Sequence, residues 1–205
     1  MALTAQSVLA DLDAALPKAT DSWRGAALRQ IVKLFLAGAE SFSGEQVALF
    51  DEVMCRLAKK KLDRTQLAEL SGKLAGLGNA PPKMLSSLAR HSDIAVSGPV
   101  LEKATALPDA EVAEIAEKDR GNQNVLAKIA LRSELSEAIT DVLLKHGNAA
   151  VRRKILDNPR AQVSEMGFAL LVSGINGDKS FAAAIMARNE LPAELRPFVE
   201  ATLSQ

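Results

Sequence analysis

His91-Ser-Asp-Ile-Ala-Val-Ser-Gly-Pro-Val-Leu101 aligns without a gap with His146-Gly-Asn-Ala-Ala-Val-Arg-Arg-Lys-Ile-Leu156. Each stretch sets a short polar side chain, Asp93 or Asn148, ahead of apolar residues at offsets of three, seven and eight. Asn122 and Asp178 open two further copies. Offset three holds Val96, Val125, Val151 and Phe181; offset seven holds Val100, Ile129, Ile155 and Ile185; offset eight holds Leu101, Ala130, Leu156 and Met186. Such offsets fall on one side of a helix, and an Asp or Asn side chain accepts a hydrogen bond from the free N–H groups of a first turn. These segments are the A helices, with caps 29, 26 and 30 residues apart.

A second series, the B helices, is read with caps at Asp109, Ser136 and Ser164. Ile115, Val142 and Leu170 stand six residues on, and Ala116, Leu143 and Leu171 seven. Leu107-Pro108 recurs as Leu191-Pro192, which predicts a fourth B element near residue 192 with proline in its first turn. A short helical hairpin cannot bury its apolar stripe alone, whereas stacked hairpins bury one another's. The expected fold is therefore all-α: an α-solenoid, with a helical bundle as the alternative.

Asn148-Ala-Ala-Val151-Arg152 resembles the Asp-x-x-Val-Arg opening of HEAT repeats, although the period is shorter than the ~40–47 residues usual there. Leu88-Ala-Arg-His-Ser-Asp-Ile-Ala-Val, Leu101, Ile129-Ala-Leu-Arg132, Leu135-Ser136, Asn158 and Ala161 together resemble an uncharacterised bacterial family with HEAT-like repeats, DUF2336. The resemblance is best from about residue 80 to 175. It implies an all-α superhelical fold and a bacterial cytosolic setting, and it transfers no catalytic residue.

Leu and Ala dominate the composition, aromatics make up 3% and Tyr is absent, which argues for helices and against sheets. Before the repeats, a first amphipathic helix ends before Pro17, and Thr20 or Asp21 opens a long helix to about Glu40. That long helix carries Trp23, Ala27, Ile31, Leu34, Phe35 and Gly38 on one face and Leu28, Val32 and Leu36 opposite. It reads as buried on two sides, a central core helix, with a homodimer contact as the alternative. Capping boxes start helices at Ser43–Gln46 and Asp63–Gln66. The Gly76-Leu-Gly-Asn-Ala-Pro-Pro stretch divides an N-terminal helical subdomain, residues 1–79, packed on the stack, from a HEAT-like array, residues 80–205. The two could equally form one continuous domain. Leu195, Phe198, Val199 and Leu203 are expected to close the end of the array after a break caused by Pro197.

Net charge is zero, so no global field draws the chain to nucleic acid or membrane. No apolar run reaches the ~20 residues of a membrane span. The N-terminus has no basic n-region, so a secretory signal is not expected. Cys55 is alone, which fits a reducing compartment, and the expected location is cytoplasmic. His91 and His146 share a repeat position, so they stand apart rather than around one ligand. No His/Cys cluster has metal-ligand spacing and no phosphate loop follows a strand. The chain is read as a non-enzymatic protein without cofactor or metal.

The A helices are rich in basic residues and the B helices in acidic ones, including Glu111, Glu114, Glu117, Glu137 and Asp141. In a solenoid the two series form opposite walls. The basic wall, at Lys128, Arg132, Arg152, Arg153 and Lys154, is the expected binding surface for a protein partner. The alternative is a nucleic-acid-binding, DNA-repair type of HEAT-like protein using Arg56, Lys59, Lys60, Lys61 and Arg64. Scarce aromatics leave little for base stacking.

Overall fold

A computed structural model describes the backbone of residues 5–58 and 63–204, and side chains from residue 9 onward. The described residues form thirteen α-helices and three 3₁₀ turns. No strand occurs among them; one parallel bridge joins Leu135 and Ala161. The chain divides into two units, residues 1–100 with 104–107 and residues 101–103 with 108–205.

The first unit contains α1 (Ala5–Ala15), α2 (Asp21–Gly38), α3 (Gly44–Ala58), α4 (Arg64–Leu74), α5 (Pro82–Ala89) and most of α6 (Ile94–Lys103). Helix α3 is its centre, packed by α1, α2 and α5, while α4 packs on α5. Phe35, Met54, Leu57, Leu74 and Leu85 are fully buried. Phe35, Phe42 and Phe50 form an aromatic cluster with centroids 5.0–5.8 Å apart. Gly38 is needed there, because a Cβ would run into the Phe42 ring.

Local starts in this unit follow the sequence in part. Thr20 Oγ1 accepts from Trp23 N at 3.2 Å. The Ser43–Gln46 box forms in both directions, at 3.3 and 2.8 Å. The Asp63–Gln66 box does not: Asp63 holds the cap position of α4 without a side-chain bond. Helix α2 also differs from expectation. It buries Arg24, Gly25, Leu28, Val32 and Phe35, while Trp23 is 46% exposed and Leu34 52% exposed. Only one of its two apolar sides is covered.

The second unit holds the end of α6, then α7 (Asp109–Lys118), α8 (Gln123–Ile129), α9 (Glu137–His146), α10 (Ala149–Asp157), α11 (Glu165–Ser173), α12 (Lys179–Met186) and α13 (Arg196–Leu203). Alternate helices pack in two series: α7 on α9 and α9 on α11, and likewise α8 on α10 and α10 on α12. All four A-helix caps are made. Asp93, Asn122, Asn148 and Asp178 accept from Ala95, Asn124, Val151 and Phe181 N–H. The offset-three and offset-seven residues behind them are all buried. Asn176 and Gly177 both have positive φ, +46° and +77°, which makes the turn ahead of Asp178.

The first B cap is corrected by one residue. Helix α7 begins at Asp109, so Pro108 is its cap and Asp109 its first helical residue, where a carboxylate still suits the dipole. The caps Pro108, Ser136, Ser164 and Pro192 then recur every 28 residues. Seven residues beyond each stand Ile115, Leu143, Leu171 and Val199, all fully buried. The offset-six residues Val142 and Leu170, expected inward, are only half-buried. Pro197 sits in the first turn of α13, after a break at Leu195. Val199 closes inward there, but Phe198 is 65% exposed.

Candidate partner-binding surface

Tenth from each A-helix cap stand Lys103, Arg132, Asn158 and Arg188. Three of these reach back to the carbonyl groups where the preceding A segment ends. Arg132 Nη1 donates to Leu101 O at 3.0 Å, Asn158 Nδ2 to Arg132 O at 2.8 Å, and Arg188 Nη1 to Asn158 O at 2.9 Å. Arg188 Nη2 also donates to Ala161 O at 2.5 Å. Leu101 O belongs to the last turn of α6, where carbonyls lack intrahelical partners, and the other acceptors lie in the segments that follow α8 and α10. The result is a polar ladder running through the second unit.

This ladder removes Arg132 from the expected basic surface. Arg132 is 7% exposed, and burial lowers the pKa of its guanidinium. Arg132 turns inward to the neighbouring A segment while Lys103, at the same offset, is exposed, so the shared offset does not make one outward ridge. The other basic residues are partly engaged. Lys128 Nζ pairs with Glu102 Oε2 at 2.8 Å. Arg153 Nε pairs with Asp157 at 3.0 Å, and its Nη1 donates to Ser180 Oγ at 2.9 Å. Arg152 is half-buried, with its Nη1 against Gly174.

Lys154 makes no ion pair with a described residue, and neither does Arg152. Together with Leu131, which is 44% exposed, Lys154 lines a shallow depression of about 400 Å³. Ala130, Ser133, Asp157, Asn158 and the edge of Arg132 complete the rim. Sequence reading singles out Lys154 by its charge and does not single out Leu131, which carries no signal distinguishing it from the inward Ile129.

The residues of the nucleic-acid alternative are placed as follows. Arg56 bonds Asp13 at 3.0 Å, Glu52 at 3.1 Å and the Leu9 carbonyl at 3.1 Å, and is largely covered. Arg64 pairs with Asp93. Lys59, Lys60 and Lys61 lie outside the described residues.

The histidines serve local geometry. His91 Nδ1 accepts from Asp93 N at 3.0 Å, beside the α6 cap. His146 Nε2 lies 3.2 Å from Glu117 Oε2, and its carbonyl accepts from Gln123 Nε2 at 3.0 Å. The Cys55 thiol is pushed up to about 11 by burial and by Asp51, the reverse of an activated nucleophile. Among the described residues no three His, Cys, Asp or Glu side chains gather as a metal site. No helix among them is long and apolar enough to cross a membrane.

These features define an all-α protein whose C-terminal helices alternate in two packed series, with side chains tying each A segment to the next. The chain belongs to a family described as an uncharacterised protein conserved in bacteria, DUF2336, whose model matches residues 96–203. No curated protein and no solved structure is detectably similar to it.

Proposed function

We propose that this protein is a non-enzymatic scaffold, an α-solenoid of HEAT-like hairpins that binds another protein through the A-helix wall. The 28-residue spacing of the B caps and the ladder along the A series support the solenoid reading, because each unit is completed by its neighbour. The observation that carries the binding surface is the pairing of exposed Leu131 with Lys154 in one depression. An exposed apolar side chain offers area to bury, and a cation beside it adds selectivity and rate. Arg153 reaches this surface through its ion pair with Asp157 on the rim, and Lys128 and Arg152 belong to the same wall in this reading. Arg132 acts only as its internal support. The nucleic-acid alternative draws no support from Arg56 and Arg64, both of which spend their charge on carboxylates of the same chain.

The test is affinity capture from a bacterial lysate with the full chain and with a Leu131→Ser, Lys154→Glu double variant. The reading expects a specific partner to be lost from the variant while the circular dichroism spectrum is unchanged. Equal recovery of the same proteins by both chains overturns it.

A further inference from the structure

The longest helix among the described residues, α2, leaves an ordered face uncovered. With Leu28, Val32 and Phe35 inward, its outward arc can be taken residue by residue at 100° intervals. One margin carries Arg29 and Lys33. The middle carries Ala26, Gln30 and Ala37. The other margin carries Trp23 and Leu34, the two exposed large apolar residues among the described residues of this unit. Lys73 of α4 joins the basic margin, and with Arg29 and Lys33 it borders an open groove of about 360 Å³ floored by Ala26 and Leu36. Lys73 pairs with Glu69 at 2.6 Å, so one carboxylate stands among three cations. Arg29 and Lys33 make no ion pair with a described residue. The one carboxylate of α2, Asp21, is in its first turn and outside this arc.

We infer that this face binds an acidic amphipathic helix of another protein, with the partner's carboxylates over Arg29, Lys33 and Lys73 and its apolar residues over Trp23 and Leu34. Ala26 and Ala37 in the middle strip leave room for a second helix beside the flexible Gln30, while the two margins fix its rotation. Charge selects against a second copy of this chain. A twofold axis that sets two α2 helices antiparallel keeps each margin on its own side, so Arg29 and Lys33 of both copies meet. A twofold axis that sets them parallel lays each basic margin on the other copy's Trp23–Leu34 margin. Neither arrangement neutralises the cations, whereas an acidic helix does so along the full margin and covers the apolar one. This surface lies in the first unit and does not depend on the solenoid reading.

Trp23 is the only tryptophan in the chain, so its fluorescence reports this face directly. The full-length protein is titrated with a helical peptide bearing leucines along one edge and glutamates along the other. A counterpart with lysines in place of the glutamates serves as the control. The expected result is a blue shift of Trp23 emission with the acidic peptide only, weakened by salt. Affinity is expected to fall about tenfold or more in an Arg29→Glu, Lys33→Glu variant, which instead gains binding to the lysine peptide. Both substitutions are on the surface, and circular dichroism checks the fold. The inference is overturned if the two peptides bind alike or if neither moves the emission up to about 1 mM, a standard of weak binding. It is equally overturned if the Trp23 shift arises from dimerisation at micromolar chain concentration, or if an oligonucleotide or anionic vesicle gives the larger effect.

Discussion

Helices α5 and α10 begin in opposite ways. Helix α10 is started by its own Asn148, whose side chain accepts from Val151 N at 3.0 Å. Helix α5 starts at Pro81-Pro82, which offers no side-chain acceptor, and is capped from another helix. Buried Asp51 of α3 accepts from Lys83 N and Met84 N, both at 2.8 Å. Gly76-Leu-Gly-Asn-Ala-Pro-Pro was therefore readable as a break, but not as a helix start that depends on a residue some thirty positions earlier. A start written into adjacent residues is visible in sequence; a start supplied through tertiary packing is not. It follows that α5 leans on one distant carboxylate, while α10 carries its own start.

The sharpest way to break this contrast is Asp51→Ala. It removes two charge-assisted bonds and leaves the buried Met84 N–H and the part-buried Lys83 N–H unmet, so it should cost about 3 kcal/mol, read by urea unfolding. An effect below about 1 kcal/mol would place the α5 start elsewhere. Next comes Arg188→Met, which keeps most of the stem but deletes two buried donors of the ladder. We expect a loss of about 2 kcal/mol, whereas truncating Lys128, whose ion pair is partly exposed, should cost about 0.5 kcal/mol. Equal costs would mean that the ladder is not what ties the A segments together.

A matched pair then separates cap from cap position. Asn148→Ala should cost about 1 kcal/mol in thermal or urea unfolding. Ser136→Ala should be neutral or slightly stabilising, because the buried Ser136 hydroxyl has no hydrogen-bond partner among the described residues. A clear loss at Ser136 would show that its hydroxyl does cap α9. The smallest expected effect is the pH response of Cys55. Its pKa is raised from the ordinary 9.0 to about 11, chiefly by burial and then by Asp51. A raised pKa favours the protonated thiol in the native state, so its contribution is complete below pH 9 and is lost as pH rises toward 11. Unfolding midpoints measured across that window should fall more steeply in the wild type than in Cys55→Ala.

The A series was legible because Asp93, Asn122, Asn148 and Asp178 each act within three residues of themselves. The B series was legible in period but misplaced at its first member. Asp109 has the chemistry of a cap, and Pro108, which holds the position, does not. Helix α2 carried apolar residues on two sides, and nothing in the chain's order says which side α3 covers. Arg132 shows the limit for surfaces. Its charge argued for solvent, but a neighbouring segment that ends in bare carbonyls drew it inside. Lys154 and Arg132 were singled out for the same reason, since charge alone does not distinguish an exposed side chain from a tether.

The ladder also divides the burden of variation unevenly. Every acceptor in it is a main-chain oxygen, at Leu101, Arg132, Asn158 and Ala161. Any residue that keeps the backbone path supplies the same oxygen, so drift at Leu101 or Ala161 leaves their bonds intact as long as volume is kept. The donors have no such freedom, because only a long, forked or amide-tipped side chain spans the gap. A mutational scan of these rungs should thus be lopsided, forgiving at one end of each bond and strict at the other.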